Sequence, residues 1–172
     1  ASSKDQLRFI SSAQLNKLSN RISFLAEHEK EDFSQRGQVN DYGAYGIFDP
    51  NQDRQRKTSS AALEYRANIS DNITAAASVR RDNNSEFKDS STYRLEVILD
   101  ANNALRVRGA YGTAVKNPTF TERFGFYTNF IGNPMLQPEK SKNWELGFDH
   151  ELLNRSWKIS ATIFNSDLDN EI

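Results

Sequence analysis

The chain has 172 residues, a formal net charge of −1 and no cysteine. This length is enough for one domain with a substantial core, and the near-zero charge argues against nucleic acid as a partner chosen by bulk electrostatics. The absence of cysteine excludes disulfide bonds and thiolate metal sites. No run of about 18 apolar residues occurs, so no transmembrane helix is predicted, and the start ASSKDQLRF lacks the pattern of a signal peptide.

Apolar and polar residues alternate with a period of two along several segments, which predicts β-strands. The first predicted hairpin joins segments 6–15 and 21–33, with Ile22, Phe24, Ala26 and His28 on its apolar-leaning face. Clearer alternation marks three more hairpins, which join 63–69 to 73–79, 93–99 to 105–113, and 143–150 to 157–163. The sequence therefore predicts an all-β fold, an antiparallel up-and-down meander of about eight strands.

The connections between these segments alternate in length. Short connections are predicted at 16–20, 70–72, 100–103 and 152–155, and long ones at 34–57, 82–90 and 114–141. Outer-membrane barrels have this arrangement, with tight turns on the periplasmic side and longer loops outside. The mean hydropathy of −0.75 does not oppose a barrel, because only every second strand residue faces lipid.

The two predicted faces of the sheet differ in character. One is uncharged, with aromatic residues near strand ends, as suits a membrane interface; it includes Leu63, Tyr65, Tyr93, Leu95, Val97, Val107, Tyr111, Trp144, Leu146, Trp157 and Ile159. The other carries charges of both signs, as a wall facing a filled lumen would; it includes Glu64, Arg66, Arg80, Arg94, Glu96, Arg106 and Arg108. The same alternation fits a soluble antiparallel sandwich, so that alternative stays open at this point.

Two adjoining strings carry a resemblance to a known family. AYGTAVKNPTFTERFG spans 110–125, and GNPMLQPEKSKNWELG spans 132–147. With them the chain resembles the TonB-dependent receptors of bacterial outer membranes, from about residue 20 to its end. FDPNQDRQR, DNNSEFKDSSTYRL and KNPTFTERFGF are most similar to receptors like the vitamin B12 transporter. Residues 1–172 are accordingly expected to be one segment of a larger transmembrane β-barrel of about 22 strands, without the plug domain and the final strands.

The resemblance implies a function and a set of partners. It implies a receptor in the outer membrane of a Gram-negative bacterium that binds a nutrient chelate, cobalamin or an iron siderophore, and imports it with energy from the TonB system. The implied partners are this chelate, the protein's own plug domain, TonB through an N-terminal region without a match here, outer-membrane lipid and lipopolysaccharide. A complete small barrel or porin-like channel and a soluble β-sandwich binding module remain alternatives.

Aromatic residues in two predicted loops are the candidate ligand contacts, because exposed aromatic side chains are costly unless they pack on something. They are Tyr42, Tyr45, Phe48, Phe120, Phe124, Phe126, Tyr127 and Phe130. Packing of the loops on themselves is the alternative. A further set belongs to the family strings and is interpreted as architectural, with prolines and glycines that fix turns: Gly112, Pro118, Gly132, Asn133, Pro134, Leu136, Pro138, Glu139, Ser141, Glu145 and Gly147.

The sequence offers little chemistry. His28 and His150 lack a catalytic string or a zinc motif, so no enzyme activity and no cofactor are predicted. Asp41, Asp49 and Asp53 are weak candidates for a structural calcium site, against an ordinary Asp-Pro-Asn turn. The basic run 54–57 is a weak candidate for lipopolysaccharide phosphates, against a solvated loop edge.

Overall fold

The computed structural model describes residues 1–15, 20–127, 130–152 and 156–171, and the side chains of Tyr45, Phe48, Tyr127 and Phe130 lie outside the described set. Eight strands form one antiparallel sheet: β1 (Ser2–Gln14), β2 (Arg21–Gln35), β3 (Gln52–Ser70), β4 (Ile73–Asn84), β5 (Ser90–Asp100), β6 (Leu105–Lys116), β7 (Glu139–Leu152) and β8 (Trp157–Asp169). Within the described ranges, no helix is long and apolar enough to cross a membrane.

The strands pair in sequence order from β1 to β8, so the predicted meander is confirmed. The order has β1 and β8 at opposite ends of a single sheet, and both are exposed along their whole lengths. In the described part of the chain there is thus neither a second stacked sheet, as a sandwich requires, nor a pairing of the end strands, as a small closed barrel requires.

The long connections are shorter than predicted. The predicted loops 34–57, 82–90 and 114–141 shrink to 36–51, 85–89 and 117–138 because the strands β2 to β7 extend into them. The basic residues of 54–57 thus belong to a strand, not to a loop. At 19 residues, β3 is longer than the 9–11 residues or so with which a barrel strand crosses a bilayer. The expected turns at 16–20 and 152–155 lie mostly outside the described residues.

The register confirms the two predicted faces. Leu63 pairs with Val79, and Tyr65 pairs with Ala77, which pairs in turn with Leu95. Their row continues through Tyr111 to Trp144. The charged residues have the opposite parity, as in the row Arg66, Ala76, Glu96, Ala110 and Glu145. The apolar face is exposed along its length, which suits a surface solvated by lipid.

The compact part of the molecule lies at the loop end of the charged face. Buried residues there include Phe33, Arg56, Pro118 and Phe120. The connection 117–138, called the outer loop below, contains helix α1 (Phe120–Phe124) and a short ladder of Phe126–Tyr127 with Phe130–Ile131. The connection 36–51 contains a 3-10 turn at Gly43–Tyr45 and a ladder of Asn40–Asp41 with Ile47–Phe48.

Candidate functional site

Helix α1 begins with a reciprocal cap inside the string KNPTFTERFG. The hydroxyl of Thr119 accepts a hydrogen bond from the Glu122 amide at 3.1 Å, and the Thr119 amide donates to Glu122 Oε2 at 2.7 Å. Two of the free amides at the helix start are satisfied in this way. The bond from the Thr119 backbone amide, opposed by partial burial, lowers the pKa of Glu122 below its ordinary value. The sequence Thr-Phe-Thr-Glu therefore fixes where the helix starts.

The string GNP folds back onto this helix. The Gly132 amide donates to Gly125 O at 2.8 Å, and the Asn133 amide donates to Glu122 O at 2.9 Å. A Cβ atom at Gly132 would lie 2.6 Å from the carbonyl carbon of Arg123 and from the amide nitrogen of Phe124. Such a contact is with backbone, which has no room to move, so only glycine allows this approach.

Arg56 fixes the outer loop to the wall of the sheet. Its guanidinium donates to Pro118 O at 2.7 Å and to Glu31 Oε2 at 2.7 Å, and the Arg56 side chain is 7% exposed. It also lies over the ring of Phe120, 5.1 Å from the centroid, and over that of Phe87 at 5.8 Å. Because Arg56 is buried and fully engaged, it is not available to lipopolysaccharide phosphates.

Two phenylalanines of α1 lie in different surroundings. Phe120 is 7% exposed and stacks on Phe33 of β2, with ring centroids 5.7 Å apart. Phe124 is half-buried, and the guanidiniums of Arg54 and Arg123 lie 4.5 and 4.7 Å from its ring centroid. Phe120 thus packs among the buried residues at the loop end of the charged face. Phe124 lies at the edge of this group, beside two cations.

Two glutamines hold the segment after α1. Gln52 Nε2 donates to Phe124 O at 2.6 Å, Gln35 Nε2 donates to Phe126 O, and the Phe126 amide donates to Gln35 Oε1 at 3.2 Å. These bonds join the ends of β2 and β3 to backbone that is 72 to 91 residues away in sequence. The outer loop is therefore fixed across the charged face of the sheet.

Other residues of the family strings take structural positions. Pro118 is fully buried, Pro134 O accepts from Arg123 Nη2 at 3.0 Å, and the Leu136 amide donates to Asn133 O at 3.2 Å. Pro138 O accepts from Asn170 Nδ2 at 3.4 Å. Ser141 accepts from Asn143, and Glu139 begins β7.

Two strand glycines make room for neighbours. At Gly147 a Cβ would lie 3.0 Å from Arg108 Nε and 2.9 Å from Thr162 Oγ1. At Gly112 it would lie 3.1 Å from Tyr93 O. Arg108 therefore crosses Gly147 to reach Asp149 at 2.6 Å and Thr162 at 2.8 Å. Glu145 is exposed on the same face.

The arginines of the predicted lumen wall mostly pair within the sheet. Arg80 contacts Glu27 at 3.1 Å and Asp82 at 2.8 Å. Arg106 contacts Asp100 at 2.6 Å, and Arg94 pairs with Glu96. Glu64 lies 3.7 Å from Arg21. Arg66 differs, because it has no hydrogen bond or ion pair with any residue that the structure describes, and its Nε is buried.

The connection 36–51 presents one described aromatic side chain, Tyr42, which is 59% exposed. The three candidate aspartates are each bound locally: Asp41 accepts from the Gly43 amide, Asp49 from Asn51, and Asp53 from Arg36. The bond from the Asn51 amide lowers the pKa of Asp49. The described residues contain no cluster of three or more groups arranged to hold a metal ion, so the structure does not bring the three aspartates together.

The two histidines lie apart from these features. His28 Nδ1 is 2.9 Å from Ser59 Oγ on the neighbouring strand, on the apolar-leaning face, and His150 pairs with Leu105 in the sheet.

The sequence does not predict the three strand residues that hold the outer loop, Gln35, Gln52 and Phe33. The one signal available for the loop was the Thr-x-x-Glu spacing at 119–122, which predicts a helix start.

Comparison with known proteins agrees with this architecture. A family model described as TonB dependent receptor-like, beta-barrel, matches residues 5–172. The siderophore receptor PirA from Acinetobacter baumannii superposes with a TM-score of 0.77 at 21% identity, over 99% of this chain and 28% of that one. A mutant of the ferric enterobactin receptor PfeA from Pseudomonas aeruginosa gives 0.79 at 14% identity, over 99% and 27%.

The alcaligin receptor FauA from Bordetella pertussis is also similar, with a TM-score of 0.63 at 18% identity, over 99% of this chain and 30% of that one. At these identities the likeness is one of fold. The chain spans about 30% or less of the length of these three receptors.

Proposed function

The chain belongs to the TonB-dependent receptor-like β-barrel family, and from this we propose that it forms part of the wall and outer rim of a receptor that imports a scarce nutrient chelate. Proteins of this family reside in the outer membrane of Gram-negative bacteria, and this chain does too. The family consists of receptors rather than enzymes. Open sheet edges are not viable in hydrocarbon, so β1 and β8 pair with further strands of the barrel.

The observation that carries the proposal is the anchored outer loop. Arg56, Gln35 and Gln52 hold the loop backbone across the charged face, at the end of the barrel where the long connections lie. Because the loop is already fixed, Phe124 and Phe126 are held in one arrangement. Little conformational entropy is therefore lost when a ligand binds to them. We assign the ligand contacts to the rim aromatics Tyr42, Phe124 and Phe126, together with Tyr45, Phe48, Tyr127 and Phe130. Phe120 belongs to the same loop and supports it from below.

An iron siderophore is the first candidate ligand, and cobalamin is the second. The similar solved structures are receptors for siderophores, ferric enterobactin and alcaligin, whereas three sequence strings resemble the vitamin B12 transporter group. The guanidinium of Arg54 beside Phe124 favours a ligand that carries negative charge, whereas Arg123 is 15% exposed and already paired with Glu86 at 3.0 Å. Import uses energy from the TonB system, and the receptor's own plug domain fills the lumen.

Equilibrium binding to the purified complete receptor tests the rim. A panel of ferric siderophores and cobalamin is titrated against the wild type, Tyr42→Ala with Phe126→Ala, and Phe120→Ala. We expect the double variant to lose more than tenfold in affinity, since each hot-spot aromatic contributes about 1 kcal/mol or more, at unchanged receptor abundance. Phe120→Ala should instead lower the amount of receptor in the outer membrane, because Phe120 is buried against Phe33 and supports the loop. Unchanged affinity in the double variant would refute the rim assignment.

A further inference from the structure

Three successive cross-strand pairs on the charged face of β2 and β3 follow the course of the outer loop. In order toward the connection 36–51, they are Glu31 with Arg56, Phe33 with Arg54, and Gln35 with Gln52. The first pair holds Pro118 O, and the second contacts the rings of Phe120 and Phe124. The third bonds the backbone of residues 124 and 126. The outer loop therefore lies along the ends of these two strands in the order of its own sequence.

The third pair, called the glutamine pair below, binds the loop as a strand residue would. Gln35 Nε2 donates to Phe126 O, and the Phe126 amide donates to Gln35 Oε1 at 3.2 Å. Gln52 Nε2 donates to Phe124 O at 2.6 Å. A side-chain amide that both donates and accepts reproduces the exchange of bonds in a β-ladder. All three bonds are partly buried, so water replaces them only when the loop opens.

The glutamine pair is also the base of the connection 36–51, because β2 ends and β3 begins there. Asn51 closes this base, since its side chain accepts from the Gly37 amide at 3.1 Å and donates to Gly37 O at 3.2 Å. Pro50 is buried beside it, and a Cβ atom on Gly37 would lie 2.8 Å from Pro50 Cγ. The two segments that carry the rim aromatics are therefore fixed to the same two strand residues.

We propose that Gln35 and Gln52 are positioning residues that couple the connection 36–51 to the outer loop, so that the two segments bind a ligand as one unit. Movement of either segment strains the glutamine pair and so loosens the other segment. A ligand contact at Tyr42 then also stabilises the arrangement of Phe126. The binding part of this inference rests on the proposed function, whereas the coupling between the two segments does not.

Hydrogen exchange of the complete receptor, purified in detergent without a chelate, tests the coupling by itself. Gly37→Ala places a methyl group against a proline ring, which cannot rotate away. It should open the base of the connection and speed exchange of the Gly132 amide in the outer loop by about fivefold or more. With Gln35→Leu and Gln52→Leu, this amide should already exchange fast, and Gly37→Ala should add less than about twofold. Gly109→Ala is the matched control, because the nearest atoms there are 3.8 Å away.

Equilibrium affinity tests the binding part, with the ferric siderophore or cobalamin that the wild type binds as the probe. In the wild-type background, the losses in affinity from Tyr42→Ala and Phe126→Ala should not multiply, and the double variant should deviate from their product by about fivefold or more. In the receptor with Gln35→Leu and Gln52→Leu, the same losses should multiply to within about twofold, as for independent sites. A glutamine pair that only stabilised the fold would lower affinity without a change in this deviation.

Two results would overturn the inference: Gly132 exchange that Gly37→Ala leaves unchanged, and an affinity deviation that stays the same without the glutamine pair. If the double leucine variant does not reach the outer membrane, Gln35→Glu replaces it, because this variant keeps the size and the acceptor but removes the donor to Phe126 O. It should change Gly132 exchange and the affinity deviation in the same directions. A wild-type receptor that binds no chelate would contradict the proposed function instead, and hydrogen exchange would still decide the coupling.

Discussion

Arg56 donates a hydrogen bond to the carbonyl oxygen of Pro118 at 2.7 Å, across 62 positions of sequence. This bond links the third strand of the sheet to the start of α1, and the same guanidinium is held by Glu31. The outer loop therefore depends on a buried ion pair in the wall.

Arg56→Ala should release the outer loop while leaving the barrel strands in place. The variant leaves Glu31 without its partner in a largely buried setting, and breaking such a pair costs about 3 kcal/mol. Limited proteolysis of the complete receptor in outer-membrane vesicles should show faster cleavage within 117–138. Arg36→Ala, which removes an exposed pair with Asp53, serves as the control and should change cleavage there little. Equal cleavage in both variants would contradict the anchoring role.

Gly132→Ala should separate the outer loop from α1, and Gly109→Ala should not disturb the fold. The added methyl group would clash with the backbone of residues 123 and 124 in the first variant, whereas at Gly109 the nearest atoms are 3.8 Å away. Hydrogen exchange of the Gly132 and Asn133 amides reports this directly. We expect faster exchange in Gly132→Ala alone, and equal protection in both variants would show that the close approach is dispensable.

The cap of α1 should make the loop sensitive to acid. The pKa of Glu122 is lowered from an ordinary 4.5, so its stabilisation is fully present above that pH and is lost as the pH falls through the lowered value. Pepsin cleavage near α1 should therefore rise as the pH falls below about 4.5, and the rise should be smaller in Glu122→Gln. Thr119→Ala should cost about 1 kcal/mol at neutral pH. A Glu122→Gln profile identical to that of the wild type would exclude the carboxylate as the cause.

The two faces of the sheet should respond oppositely to the same new charge. Leu146→Arg places a cation on the apolar face and should destabilise the folded barrel by about 2–4 kcal/mol near the membrane midplane. Ala110→Arg, one strand away on the charged face, lies between Glu96 and Glu145 in the register and should be tolerated. Urea unfolding in vesicles measures both. Similar losses in both variants would contradict the assignment of faces.

The sequence was sufficient for the strand order and the faces, because period-two alternation is strong within the three hairpins of 63–79, 93–113 and 143–163. It failed at 52–57, where both faces of β3 are polar and alternation in hydropathy disappears, so the sequence predicts a loop where the structure has a strand. The position of Arg56 beneath the outer loop depends on contacts between residues 62 positions apart, which no local pattern encodes. The start of α1 was predictable from Thr119 and Glu122, whereas the burial of Phe120 against Phe33 was not.

Energy-dependent uptake by whole cells is the measurement that tests the proposed import function. The complete receptor is produced in a Gram-negative host that lacks its own receptors, with and without a functional TonB, and is supplied with radiolabelled ferric siderophores and cobalamin. We predict saturable uptake of one chelate that requires TonB and falls more than tenfold when Tyr42 and Phe126 are both replaced by alanine. Uptake of small solutes in proportion to their concentration, unaffected by loss of TonB, would indicate a porin-like channel and contradict the proposed function.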